Sequence, residues 1–132
     1  MIKVLKEAVI PTLREMGFAG SFPHFRRLRD SQIDLLTFQF SRWGGSFVVE
    51  VAFCQPGGIT THWGKHIGPK KVTAHDVSHC LRLGSHPPGE VDHWFSYEST
   101  QADPFMDAAL ELLPYLRGQA EQFWTSHTPS IG

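Results

Sequence analysis

Histidine is the enriched chemical group of this chain: eight occur in 132 residues, and six of them fall at His62, His66, His75, His79, His86 and His93. His62 and His66 stand four apart, as do His75 and His79, and Asp76 and Cys80 flank the second pair. Imidazole, thiolate and carboxylate are the donor set of zinc and related divalent ions. His62, His66, His75 and His79 are therefore the candidate metal ligands, with zinc as the candidate ion. A spacing of four gathers two ligands on one face only within a helix. Gly64 interrupts the first pair, Pro69 follows it, and no His-Glu-x-x-His pattern adds a base. Exposed or hydrogen-bonded loop histidines account for the same residues and are favoured.

Arginine forms the second candidate cluster. Arg26, Arg27 and Arg29 crowd one short segment, with Arg42 and Arg82 further on. If neighbouring strands bring some of them together, their guanidinium groups could grip a carboxylate or phosphate in bidentate fashion. Arg26, Arg42, Arg82 and the stacking surface of Trp94 are the candidate ligand-binding residues, for a small anion. The blander and favoured alternative is charge pairing with Asp34, Glu50 or Asp92, which contributes little per exposed pair. For nucleophilic chemistry, Cys54 or Cys80 beside a histidine, or Ser78 beside His79, lacks a geometry that would activate it. Gly44-Gly45 and Gly57-Gly58 are turns without the following helix that a phosphate loop requires. No catalytic residue is assigned.

Three strands must position these groups: Phe22–Arg29, Ile33–Arg42 and Phe47–Cys54. In the second, Leu36, Phe38 and Phe40 alternate with Thr37, Gln39 and Ser41; in the third, Phe47, Val49, Val51 and Phe53 alternate with Val48, Glu50, Ala52 and Cys54. Period-2 patterns with one bulky face predict a sheet covered by helices on a single side. Pro23 and the arginines mark the first strand as an edge. Ile2, Leu5, Val9, Leu13 and Met16 form the apolar stripe of an opening helix over Ile2–Gly17, with a kink or break expected at Pro11. Gly17 suits the left-handed residue that ends a helix. Gln55–Ser78 has no period and reads as a long loop, beyond the ~12–15 residues at which structureless connections become uncommon. Cys80–Leu83 and Trp94–Tyr97 are short strands. A closing helix starts at Asp103-Pro104, a capping carboxylate followed by Pro at the first helical position. Met106, Leu110, Leu113, Leu116, Ala120 and Phe123 are its predicted inner face, with a bend or split at Pro114. Residues 126–132 read as a frayed tail.

Composition bounds the class. Apolar residues make up 41% and charged residues 19%, as in a globular protein, and the length suits a single domain over 1–132. No apolar run reaches the roughly 20 residues of a membrane span, and the N-terminus carries Glu7 early without a cleavage site of small residues, so no signal peptide is expected. Two cysteines make no disulfide framework and read as reduced, buried thiols of a cytoplasmic protein. A net charge of −1 argues against a nucleic-acid binder, and the alternating phenylalanines are core rather than a stacking platform. The charge is nevertheless uneven. Residues 1–82 carry 11 basic and 6 acidic side chains, and residues 83–132 carry 1 and 7. Neutralisation of basic strands by an acidic closing helix is favoured over a bipolar surface that steers a partner.

The order of motifs resembles a bacterial family catalogued as a domain of unknown function, number 4304. The resemblance is carried by the opening helix ending in Gly17-Phe18, the strand Phe25-Arg26, Phe38-Gln39-Phe40-Ser41-Arg42 before a Gly-containing turn, Cys80-Leu81-Arg82-Leu83-Gly84, Asp92-His93-Trp94-Phe95 and a Leu-rich final helix. Phe95 departs from the second Trp that the family often has there. What the resemblance implies is an α+β fold, with no assigned activity and no catalytic residues to transfer.

The expectation is thus an α+β domain: an antiparallel sheet of about five strands with an N-terminal and a C-terminal helix on one face. Its favoured function is a non-catalytic interaction module, immunity-like or otherwise partner-binding. The alternative is a small-ligand or anion site lined by Arg and Trp, followed by a His-rich metal site.

Overall fold

The computed structural model describes residues 2–61, 63–77, 80–84, 94–97 and 103–126. It is an α+β fold. The opening helix divides into α1 (Ile2–Ala8) and α2 (Ile10–Glu15). The break at Val9 precedes Pro11, which has no N–H to continue the ladder. Gly17, at φ +99°, ends α2 as expected. Its N–H donates to the Arg14 carbonyl at 3.1 Å, and the Phe18 N–H reaches back to Leu13 at 2.9 Å. This paired closure satisfies carbonyls that a helix end leaves open and swings Phe18 onto Leu13 in the core.

The expected first strand is two strands. β1 (Ala19–Ser21) and β2 (His24–Leu28) form a hairpin through a cis Phe22-Pro23 bond. β3 (Ile33–Phe40) and β4 (Ser46–Cys54) pair along their whole length. The long stretch after β4 is not structureless. It folds into a small hairpin, β5 (Ile59–Thr60) and β6 (His66–Ile67), and a 3₁₀ turn at Ala74–Asp76. β7 (Cys80–Arg82) and β8 (Phe95–Ser96) then both pair with β4, giving an antiparallel sheet ordered β1-β2-β3-β4-β7 with β8 on β4. Asp103 caps α3 (Pro104–Tyr115) by accepting from the Met106 N–H at 3.1 Å. The break expected at Pro114 falls just after it, as a π-helical turn at Leu116–Ala120, before α4 (Glu121–Ser126).

Helices cover one face of the sheet. Leu5, Val9 and Leu13 meet Phe25, Leu36, Phe38, Phe47, Val49 and Val51 there, together with Leu112, Leu116, Phe123 and Trp124. Of the expected inner face of the closing helix, Leu116, Ala120 and Phe123 are buried and Leu113 packs against the core, but Leu110 is 51% exposed, and Ala108, Ala109 and Leu112 are buried on the first turns instead. Leu110 and Leu112 are equally apolar, and packing against α1 selects the flank with the small alanines, which allows close approach.

The opposite face is also buried. Ile33, Leu35, Ala52 and Cys54 pack against Val72 and Ala74, with Ile59, Ile67 and Val77 alongside, so residues 59–61 and 63–77 form a second layer. A Cβ on Gly58, at φ +97°, would collide with the Ile67 carbonyl oxygen, which fixes glycine where this layer folds back.

Asp34 locks the helix face to the sheet. Its side chain is fully buried, and its Oδ2 accepts from Arg27 Nε at 2.8 Å and lies 2.7 Å from Arg27 Nη2. Its Oδ1 accepts from Arg29 Nη2 at 3.1 Å and also from Gln32 Nε2. Arg27 continues to the Met16 carbonyl (3.0 Å) and Glu121 Oε1 (2.7 Å), while Arg29 and Gln32 both reach the Trp124 carbonyl. The Arg27 guanidinium also lies over Phe18 and Trp124, at 4.8 and 5.2 Å from their rings. Removing the carboxylate takes the buried counter-charge from two guanidinium groups. Asp34→Ala is expected to cost about 3–5 kcal/mol in urea denaturation, whereas Leu28→Ala at a 62% exposed position should stay within about 0.5 kcal/mol.

Candidate functional site

On the loop-covered face, four strands place polar residues side by side. His24 is opposite Thr37, Thr37 opposite Glu50, and Glu50 opposite Arg82. Period 2 requires this once the register is set, because the bulky partners Phe25, Leu36, Val49 and Leu81 claim the other face. His24 Nδ1 and Thr37 Oγ1 are hydrogen-bonded at 2.9 Å. Glu50 Oε1 accepts from Arg82 Nε at 3.2 Å, with Arg82 Nη2 also at 3.2 Å, and the Glu50 side chain is only 7% exposed. From the 3₁₀ turn above the row, His75 brings Nδ1 to 3.4 Å from Glu50 Oε2. Cys80 Sγ is 4.0 Å from the same oxygen. The His24 and His75 rings meet edge to face, 5.9 Å apart.

Above this row lies a groove of about 580 Å³ between the β5–β6 hairpin and the Ala74–Asp76 turn, lined by Ile59, Thr60, Thr61, Trp63, His75, Asp76 and Val77. Trp63 is 69% exposed and His75 44% exposed at its side chain. Asp76 Oδ2 closes the turn by accepting from the Thr73 N–H (2.8 Å) and hydroxyl (3.3 Å). The Thr61 hydroxyl exchanges bonds with the Lys65 backbone, and Thr60 Oγ1 is 3.2 Å from His66 Nδ1. His75 belongs to both the polar row and the groove.

The two cysteines are free. Cys54 is buried, as expected, and burial pushes its thiol up to about 11. Cys80 is exposed, contrary to expectation, because it borders the sheet on the short β7. Partial burial and the Glu50 carboxylate raise its pKa, with Arg82 opposing them. Neither setting favours a thiolate nucleophile.

The arginine candidates separate. Arg27 and Arg29 serve Asp34, and Arg82 serves Glu50. Arg26 is on the loop-covered face and ties the second layer down through the Val72 carbonyl at 3.2 Å. Arg42 is in the β3–β4 turn, with its guanidinium 5.0 Å from the ring of Trp43. Trp94 is 39% exposed just before β8, on the same edge of β4 as Arg82 but across the sheet from Arg26. Of the metal candidates, His66 is on β6 and His75 on the 3₁₀ turn, while His62 and His79 lie outside the described residues. Among the described residues no group of three or more His, Cys, Asp or Glu side chains is placed to hold a metal ion.

Glu50 and His24 were not singled out from the sequence as site residues. One signal existed: Glu50 is the lone carboxylate on a strand face otherwise made of Val48, Ala52 and Cys54, and that face is apolar enough to be buried. Burial, then His75 and Arg26, hold the His24 imidazole below its ordinary value of 6.5, against a pull upward from Asp76. The folded state therefore disfavours its protonation. Stability should be level above the ordinary imidazole range and fall as the pH drops through it. Urea midpoints measured between pH 8 and 5 should show that decline, and His24→Gln should reduce it.

Among the described residues no helix is long and apolar enough to cross a membrane. Among curated proteins and among solved structures no significant match was found. A family model does match, over residues 9–115, from α2 through the strands to the end of α3. The chain belongs to the family described as domain of unknown function DUF4304.

Proposed function

We propose that this is a small cytoplasmic ligand-binding domain whose ligand occupies the groove between the β5–β6 hairpin and the Ala74–Asp76 turn. The groove carries this reading. Its volume of about 580 Å³ falls in the ~300–1,000 Å³ range of small-molecule sites. Its lining combines apolar Ile59, Val77 and Trp63 with a few polar groups, the usual division between affinity and orientation. The arginines support an anion site less well, since Arg27, Arg29 and Arg82 are already bonded to buried carboxylates. A thermal-shift screen of soluble metabolites, read alongside tryptophan fluorescence, tests the groove. One chemical class should stabilise the protein, by about 2.7 kcal/mol at a hundredfold excess over Kd, and Trp63→Ala should abolish that stabilisation. If no class stabilises the protein, or Trp63→Ala leaves binding intact, the groove is not the site.

A second reading, a partner-binding module, is favoured by Trp43. It is 82% exposed at the tip of the β3–β4 turn and carries Arg42 against its ring. Trp and Arg are the side chains that dominate interface energies. Native-lysate pull-downs with wild-type and Trp43→Ala baits should differ by a stoichiometric partner; identical recoveries would remove this reading.

A further inference from the structure

We infer that Glu50 and His75 form a carboxylate–imidazole pair that makes the groove selective for neutral hydroxylated rings, the chemistry of monosaccharides. The inference rests on the groove being a ligand site and adds what that site recognises.

Glu50 is held in the sheet by Arg82, and its Oε2 faces Nδ1 of His75 at 3.4 Å. A carboxylate paired with a guanidinium accepts hydrogen bonds and donates none. A hydrogen on Nδ1 of a neutral His75 suits this contact, and Nε2 then keeps its lone pair on the side of the ring away from Glu50. Edge-to-face packing from His24 restrains the same ring from β2. Beside it, Asp76 uses Oδ2 to close its turn, and Oδ1 makes no hydrogen bond among the described residues. The hydroxyls of Thr60 and Thr61 are engaged within the hairpin. Among the described lining residues, His75 and Asp76 thus supply acceptor groups and Trp63 a large apolar surface.

The complementary ligand has an apolar face and donors around its edge. A sugar ring has both: its C–H face stacks on an indole while its hydroxyls donate to nitrogen and carboxylate lone pairs. An anion would face two acceptors. Lys65, Lys70 and Lys71, all exposed on the segment that builds the groove, weigh against a cation. Glu50 is in this scheme a positioning residue, and His75 a binding residue.

Two measurements on the full chain test it. Long-range proton–nitrogen NMR of the unliganded protein in alkaline buffer, with His75→Gln assigning the signal, should show the Nδ1–H form of His75. Glu50→Gln should reduce that preference. An Nε2–H form in the wild type overturns the pair whether or not the groove binds anything. Fluorescence titrations with neutral monosaccharides, sugar phosphates and primary amines then test the ligand class. A neutral sugar should bind, with His75→Ala and Asp76→Asn each weakening it tenfold or more. Binding confined to phosphates or amines overturns this inference and leaves the groove intact; no binding in any class overturns both.

Discussion

A carboxylate with no exposure to water, Asp34, is the constraint on which the rest of the fold depends. Ionised groups are tolerated in protein interiors only when opposite charge and hydrogen bonds replace the lost water. Asp34 obtains both from Arg27, Arg29 and Gln32, and those same donors extend to Met16, Glu121 and Trp124. One buried charge therefore requires the end of α2, the β2–β3 pair and α4 to arrive together. The Trp124 indole completes the junction by donating to the Ala52 carbonyl of β4 at 3.0 Å. Charge imbalance along the chain is partly neutralised here too, since Arg27 comes from the basic part and Glu121 from the acidic part.

Glu50 is the second buried carboxylate, and it has a different consequence. Asp34 is closed in by cations and backbone on the helix side of the sheet. Glu50 sits on the other side with one oxygen on Arg82 and the other near a half-exposed imidazole that opens into a groove. The first arrangement holds elements together. The second transmits the orientation of a buried group to a surface side chain. The arginine-rich β2 follows the same division: alternate residues point to opposite faces, so Arg27 belongs to the Asp34 lock and Arg26 to the anchoring of the second layer through Val72.

Much of the fold was legible in the sequence because it rests on local rules. The alternation in β3 and β4, the closure of α2 at Gly17, the break near Pro11 and the Asp103-Pro104 start of α3 all depend on residues near one another in the chain. The pairing of arginines with Asp34 and Glu50 was legible as chemistry, though not as geometry. Three elements were read differently. The first strand is a hairpin, and its outer strand β1, not the arginine-bearing β2, is the sheet edge. The segment after Cys54 has no period because its apolar residues, Ile59, Ile67, Val72, Ala74 and Val77, are spaced to meet a sheet rather than to form one. In the closing helix the inner face differed at Leu110, which is as apolar as Leu112, and only packing on α1 breaks that tie.

By itself the sequence determined the α+β class, the strand alternation and the helix boundaries, since these follow from side-chain period, proline's missing N–H and glycine's freedom at positive φ. Tertiary structure alone decided which polar residues meet. His24, Thr37, Glu50 and Arg82 become neighbours only through strand register, and His75 joins them only because the second layer folds back over the sheet. Register and layer docking are long-range choices, set by burial over the whole sheet. A histidine count along the chain carries no information about them.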